Sequence, residues 1–572
     1  VDDLDEDRFT ESPDLPRTAT PELTTREGAI PFLTRGQSAL FAALVVVVLL
    51  VGNASTSLWD QDEAAYAGFA RTMLRSGDWV VPHFTWSEVH RKTPLLFWCI
   101  AASFALFGEN EFALRLPTVL AIFLTVVAVA AIGRPIFGKR VAYLAAALLA
   151  TMNFVSTLGK VALTDSLVLL FETLAALALI RVLERDTAGR IWRWTLLFWA
   201  SVALGTLAKG PVILVFAGGL AAWLTLFHPR RRELLLGLQP WFFLPLALLP
   251  IFCWGWLAWQ RTDGKLITWM IDWYVKNRAT KAVFGQTGPP GYYLISFLVT
   301  MLPWSFLLPA ALVRVWQRRK EPVYCVLTAW LFSGWLIWEF AASKLPSYAI
   351  GAYPAFALLF AYELLDPKLA ALWNRRSVRF GVRLAVALSI AIAIGLLAVA
   401  IFFLKSPRVT LAAAVPAALL FTIPAWAMAR MRAGDILGAV RIHMFGAIAG
   451  IVSIWGLLIT QLEPMRSMPW QITQIVEAES PAGAKVLLGE GFGSPSLPFY
   501  LGKKRDSCEI DAKGLDLALR RLDSVATILV LNDDVYLTIQ EAARTHGWRP
   551  IRLSGFDIVW GRDSTCWVLV AE

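Results

Sequence analysis

Charge is scarce in this chain. Asp, Glu, Lys and Arg make up 17% of 572 residues while 57% are hydrophobic, and the mean hydropathy is +0.57. So little charge excludes a soluble globular protein of ordinary make-up. Cysteine is also sparse: there are five, with no CxxC pair, which argues against a disulfide scaffold or a zinc ribbon. Cys99, Cys253 and Cys325 fall in apolar runs and read as small hydrophobes; Cys508 and Cys566 lie in a polar tail and could pair in an oxidising compartment. A phosphate loop is missing too, since no Gly-Lys-Ser/Thr follows the GFGSPS run at 491–496. The first residues lack the basic-apolar-small pattern of a cleavable signal; residues 1–37 are acidic and rich in Pro and Thr and read as a disordered cytoplasmic extension. The net charge of +10 is dispersed over short loops, which suits lipid headgroups and membrane orientation and gives no case for nucleic-acid binding.

What is abundant is the long apolar run. A transmembrane helix needs roughly 20 mostly apolar residues, and candidate runs begin near 38, 116, 141, 163, 192, 211, 241, 292, 323, 348, 380, 409 and 438. The segment PLLFWCIAASFALFG at 94–108 is ambiguous in length. Basic clusters decide it: Arg134/Lys139/Arg140, Arg230/Arg231/Arg232, Arg314/Arg318/Arg319/Lys320 and Arg430/Arg432 all fall on one side only if 94–108 grazes the surface. The expectation is an α-helical polytopic membrane protein of about 13 spans, with the N-terminus cytoplasmic and the tail external. Residues 38–463 would form the membrane domain and 464–572 a small external α/β domain. Its strands are read at KVLLG (485–489), VATILVLN (525–532) and CWVLVAE (566–572), with amphipathic helices between them. Residues 59–115 would carry two juxtamembrane helices, and 260–290 a long external loop.

This topology gathers Asp62, Glu63, Arg91, Lys92, Asp165, Lys209, Arg278 and Lys344 on one membrane face. Ionisable groups at the mouth of a helical bundle suggest function, yet each has a plainer account. Asp62 and Glu63 would offset a helix dipole, Asp165 fits an N-cap beside Thr164, and Lys209 and Lys344 fit solvated turns. His83 and His90, with Glu88 between them, match no compact metal site.

Read together, the motifs are more specific. Asp62-Glu63, Tyr66-Ala67, Ala70-Arg71-Thr72, Ser76-Gly77-Asp78-Trp79, Lys92-Thr93-Pro94 and Arg115-Leu116-Pro117 resemble the first external loop of GT-C glycosyltransferases. Leu163-Thr164-Asp165-Ser166, Lys209-Gly210-Pro211, Asn277-Arg278, Ser343-Lys344-Leu345-Pro346-Ser347-Tyr348 and Ser496-Leu497-Pro498-Phe499-Tyr500 extend the resemblance from about 35 to 505. Within that group the chain is similar to bacterial lipid A aminoarabinose transferases and protein O-mannosyltransferase-like enzymes.

The resemblance implies an inverting transfer of sugar from a polyprenyl-phosphate (undecaprenyl-phosphate) donor to lipid A or another glycolipid, at the periplasmic face of the bacterial inner membrane. It implies catalytic roles for Asp62 and Asp165, and substrate binding by Glu63, Tyr66, Arg91, Lys92, Lys209, Arg278, Lys344 and Tyr348. Membrane lipids are the other expected partners, the protein is expected to be a monomer, and no cofactor is required. Transfer to protein Ser or Thr, or non-enzymatic transport of the lipid-linked sugar, are the alternatives. Two positions depart from the family pattern. Arg91 stands where a Glu usually precedes the lysine, and Gln286-Thr287-Gly288 stands where many relatives have a His. Both departures lessen the case for a divalent metal, and Arg91 favours an anionic sugar such as a uronic acid.

Overall fold

A computed structural model describes residues 35–59, 61–84, 90–183, 191–277, 286–365, 376–479, 485–489, 494–502, 507–510, 514–515, 519, 527–557 and 562–571. The N-terminal segment through residue 34, Asp60, Glu88 and Arg278 lie outside the described residues.

The chain is mostly helical. Its first helices are α1 (Arg35–Leu50), α2 (Asp62–Ser76), α3 (Leu95–Phe107), α4 (Glu111–Ala150), α5 (Asn153–Leu158), α6 (Thr164–Leu183), α7 (Ile191–Lys209), α8 (Val212–Phe227), α9 (Arg231–Leu238) and α10 (Pro240–Thr262). Every apolar run read as a span contains helix, and eight helices among the described residues are long and apolar enough to cross a membrane. The protein is a multi-pass membrane protein. The two spans expected from 116 and 141 form one continuous assignment, α4, broken at Gly138, whose φ of 82° and ψ of 166° leave the helical region. Glycine tolerates that conformation at little steric cost.

Between α1 and α4 lie the two anticipated juxtamembrane helices. The 13 residues of α3 extend only about 20 Å at 1.5 Å per residue, short of the roughly 30 Å hydrocarbon layer. Helix α2 stops at Gly77, a left-handed C-cap whose N–H bonds the carbonyl of Met73. Its start is unusual: Gln61, just before it, has φ 75° and ψ −113°, rare for a residue with a side chain. The expected loop at 260–290 is a correction, because helix resumes at Lys265–Met270 and winds on as a π-helix over Ile271–Asn277. The Asp263-Gly264 turn, both residues left-handed, redirects the chain instead of ending its helicity.

One buried ion pair ties these elements together. Arg115 on α4 is fully buried and grips Glu63 on α2 through two bonds, Nε to Oε1 at 2.8 Å and Nη2 to Oε2 at 2.9 Å. Its remaining donors reach the carbonyls of Asn53 and Thr56 at 2.9 Å and of Ser57 at 3.1 Å. Glu63 in turn accepts the N–H of Ala162 and of Trp59, each at 2.9 Å. The carboxylate expected to bind substrate is therefore engaged with the scaffold through both oxygens.

The tail forms a five-stranded sheet in the order β2-β1-β3-β5-β4, where β1 is Lys485–Gly489, β2 Ser507–Ile510, β3 Thr527–Asn532, β4 Trp548–Asp557 and β5 Arg562–Ala571. β1 pairs in parallel with β2 and β3, while β5 runs antiparallel to both β3 and β4. Along β3, Ile528 and Val530 enter one core and Leu529 and Leu531 the other. That period of two explains why a central strand reads as an unbroken apolar run. Cys508 on β2 and Cys566 on β5 are three strand spacings apart, about 14 Å. A disulfide needs Cα atoms within about 7 Å, so the expected option of pairing is withdrawn.

The tail docks on the first loop. Arg71 of α2 donates to the carbonyls of Pro498 at 2.8 Å and Phe499 at 3.1 Å, and the N–H of Leu58 donates to the Tyr500 hydroxyl at 2.7 Å. Phe104 of α3 packs on Phe499 with ring centres 6.3 Å apart.

Truncating Arg115 strands a buried carboxylate, a loss of about 3–5 kcal/mol for a pair broken on one side. Arg115→Ala should therefore melt well below wild type in detergent, while Asp62→Asn, which leaves that pair intact, should melt close to it; equal melting of all three would refute the anchoring role.

Candidate active site

A large cavity opens among α2, α6, α7, α8, α10 and the 337–350 segment, with a volume of about 1850 Å³. Small-molecule sites are typically roughly 300–1,000 Å³, so this one can take something longer. One flank is apolar: Leu248, Ile251, Phe252, Trp256 and Trp259 of α10 face Val212 and Val215 of α8. The other flank carries the charge.

Two lysine–carboxylate pairs stand there. Lys209, the last residue of α7, donates to Asp165 at 2.9 Å. Lys92 sits 3.4 Å from Asp62 and also donates to the Tyr66 hydroxyl. Asp165 opens α6 and Asp62 opens α2, so each carboxylate lies at the positive end of a helix dipole. Ala162, held by Glu63, is three residues from Asp165, and Glu63 itself adjoins Asp62. One anchor thus positions both acids, and α7 delivers Lys209 to Asp165 at its last residue, just before the Gly210 turn (φ +68°).

Burial pushes the Asp62 carboxyl up, but Lys92, His90 and Lys209 together outweigh it and hold the group below its ordinary value of 3.8. Its side chain keeps 40% exposure, towards the cavity. Burial dominates for Lys92 and lowers it from 10.5 despite Asp62. The His90 imidazole, 4.0 Å from Asp62, is lowered from 6.5 by burial. Tyr66 is pushed well above 10 by burial and then by Asp62, so it remains a neutral phenol.

Among the other candidates, Tyr348 lines the cavity with its ring 5.5 Å below the Lys209 ammonium. Lys344 turns from the wall, 3.8 Å from Glu339 and 3.4 Å from the Pro289 carbonyl, although Ser343 and Leu345 face the cavity. Arg91 bonds the Pro82 carbonyl at 3.0 Å and is not among the cavity residues, which removes the geometric ground for an anionic sugar. Gln286 also lines the cavity. Among the described residues no cluster of three His, Cys, Asp or Glu is arranged to hold a metal.

Sequence reasoning missed two residues. Arg115 was one member of a motif with no role of its own, and Glu172, an acid in the middle of an apolar span, lines the cavity. An intramembrane carboxylate is a functional signal in its own right.

Comparison with known proteins fits this geometry. Residues 91–259 match the family described as dolichyl-phosphate-mannose-protein mannosyltransferase. An undecaprenyl phosphate-α-4-amino-4-deoxy-L-arabinose arabinosyl transferase of Pseudomonas aeruginosa is 31% identical over 320 residues, covering 55% of this chain and 57% of that one. A transferase of the same name from Erwinia tasmaniensis is 30% identical over 61% of this chain and 64% of its own. The matched region is thus less than two thirds of either relative. The crystal structure of ArnT from Cupriavidus metallidurans bound to undecaprenyl phosphate superposes with a TM-score of 0.73 over 94% of this chain and 98% of that one, at 20% identity. The chain has the same fold, and the GT-C resemblance read from its motifs holds.

Because Lys92 loses its proton below the ordinary lysine range, binding of a long-chain alkyl phosphate in the cavity should weaken as pH rises towards 10.5. Lys92→Arg should extend binding to higher pH, since guanidinium stays charged. A calorimetric pH series in which the substitution shifts nothing would assign the anion to another cation.

Proposed function

We propose that this GT-C-fold protein is an inverting glycosyltransferase that moves a sugar, 4-amino-4-deoxy-L-arabinose, from undecaprenyl phosphate to a phosphate of lipid A. The observation that carries it is the pairing of an apolar flank with two lysine–carboxylate pairs in one cavity. The names of the relatives supply the sugar and carrier. The reaction is taken to occur at the periplasmic face of the bacterial inner membrane, by a monomer. On this reading residues 38–463 form the transferase unit and 464–572 its external domain.

The chemistry follows from charge. In the transfer the bond between the anomeric carbon and the carrier phosphate oxygen breaks, its electron pair staying on that oxygen. A lipid A phosphate oxygen forms the new bond from the opposite face. Negative charge grows on the leaving phosphate, and cations fixed in a low-dielectric wall stabilise it. Lys92 and Lys209 have that role; Arg278 and Tyr348 are proposed as further contacts to the carrier or sugar, and Lys344, turned to Glu339, as a support behind the wall. The polyprenyl chain lies along the α8–α10 flank. The acceptor is already anionic, so no general base is needed. Asp62 and Asp165 instead hold the lysines in place and orient the sugar, with Tyr66 buttressing Lys92. The first-loop arginine Arg91 and the buried Glu63 have no direct contact in this scheme.

The mannosyltransferase family match keeps a second acceptor class open, a protein Ser or Thr hydroxyl. That acceptor would require Asp62 or Asp165 as general base.

Mass spectrometry of lipid A from cells with and without the gene separates the two. The expected result is an aminoarabinose-modified species that disappears with the gene and falls on the order of a hundredfold with Asp62→Asn, the scale of a misplaced reactant. Unchanged lipid A together with lost protein glycosylation would move the assignment to the second acceptor.

A further inference from the structure

Glu172 lies seven residues beyond Asp165 on α6, two turns deeper into the helical bundle. Asp165, Val168 and Glu172 form one cavity-facing stripe. The Glu172 side chain is 3% exposed, and its Oε2 is buried with no hydrogen-bond partner. Gly351 stands beside it: any side chain at 351 would run into that oxygen, so the glycine leaves the carboxyl its room.

A buried carboxyl oxygen left unsatisfied within a membrane helix is expensive. It is not alone in this wall. Thr93 Oγ1, Gln286 Oε1 and Ser343 Oγ, all from cavity-lining residues, are likewise buried without partners. The chemistry of the ligand decides what they are for. A polyisoprenoid chain offers no hydrogen bonds, and a phosphate offers a carboxylate only repulsion. A sugar offers hydroxyl and ammonium donors to the acceptor oxygens and ring or hydroxyl oxygens to the two alcohols.

We infer that Glu172 is the specificity-determining residue of this chain, receiving the amino substituent of the carrier-linked sugar at the inner end of the cavity. The inference rests on the transferase reading above and adds the residue that selects the sugar. Glu172 makes a charge-assisted hydrogen bond with the amine, while Asp62 and Asp165 remain with their lysines. Gly351 is its necessary neighbour.

The test is equilibrium binding to the detergent-purified full chain of three ligands: undecaprenyl phosphate carrying aminoarabinose, undecaprenyl phosphate carrying arabinose, and bare undecaprenyl phosphate. Wild type should prefer the amino sugar over the neutral one by about tenfold or more, as a charge-assisted bond provides. Glu172→Gln, close in shape, should erase that preference and leave bare-carrier affinity unchanged; Glu172→Asp should restore part of it. A preference that survives in Glu172→Gln overturns the inference. So does an absent preference in wild type, or an equal loss for all three ligands, which would mean a structural role. Transfer to lipid A is measured on the same preparations. Wild type that shows the preference yet transfers nothing would refute the transferase reading and leave the assignment of Glu172 standing.

Discussion

The Glu63–Arg115 pair is the constraint from which the site's geometry follows. Arg115 is fully buried and spends its donors on one carboxylate and on carbonyls of the 53–57 segment that follows α1. The carboxylate uses its spare lone pairs on Trp59 and Ala162. Such a pair is stable in a low dielectric only when nearly every donor and acceptor is matched, as here. The consequence is spatial. The segment after α1, the start of α2, the start of α4 and the turn into α6 converge on this one ion pair, and Asp62 and Asp165 lie within three residues of its contacts.

Holding two acids near one cavity would be costly without compensation, because like charges raise each other's energy in a poorly solvated wall. Lys92 and Lys209 supply it, each from an element that is not its partner's. The pairing leaves the cations charged but only lightly committed on the Lys92 side, where the contact with Asp62 is 3.4 Å, longer than the 2.9 Å of Lys209 with Asp165. A phosphate arriving in the cavity therefore meets one cation held firmly and one whose carboxylate contact is loose enough to be exchanged for a better anion.

Much of this was legible in the sequence, and the reasons are physical. Membrane spans announce themselves because every apolar residue in them has the same solvent, and the order of basic loops groups acids on an expected common face; Asp62, Lys92, Asp165 and Lys209 were reached that way and line one cavity. The joining of Lys92 to Asp62 was not legible, since it closes a loop of 30 residues that includes positions with no periodicity. Glu63 and Asp62 look interchangeable in one dimension; both line the cavity, and only packing shows Glu63 locked to Arg115 and Asp62 paired with Lys92. Strand β4 was missed because Pro550 and Gly555 interrupt its pattern; the sheet accepts them at its edge, where an unpaired backbone side tolerates proline. Cys508 and Cys566 looked like a pair only until strand order set them apart.

The C-terminal sheet bears on the cavity through a short route. Its Leu497–Leu501 helix places Phe499 against α3 and under Arg71, while Tyr500 receives the N–H of Leu58. Leu58 directly follows Ser57, whose carbonyl Arg115 holds and whose hydroxyl bonds the Glu463 carboxylate. The segment that leads into α2 is thus clamped by Arg115, by Glu463 of the Ile459–Arg466 helix and by Tyr500 of the tail. Gln61, with its uncommon φ of 75°, lies between this clamp and Asp62. A backbone conformation of that kind persists only where its surroundings over-determine it. Among the described residues the tail contributes no charged group to the cavity wall, yet by completing the clamp it fixes the direction in which Asp62 leaves the loop and enters the helix.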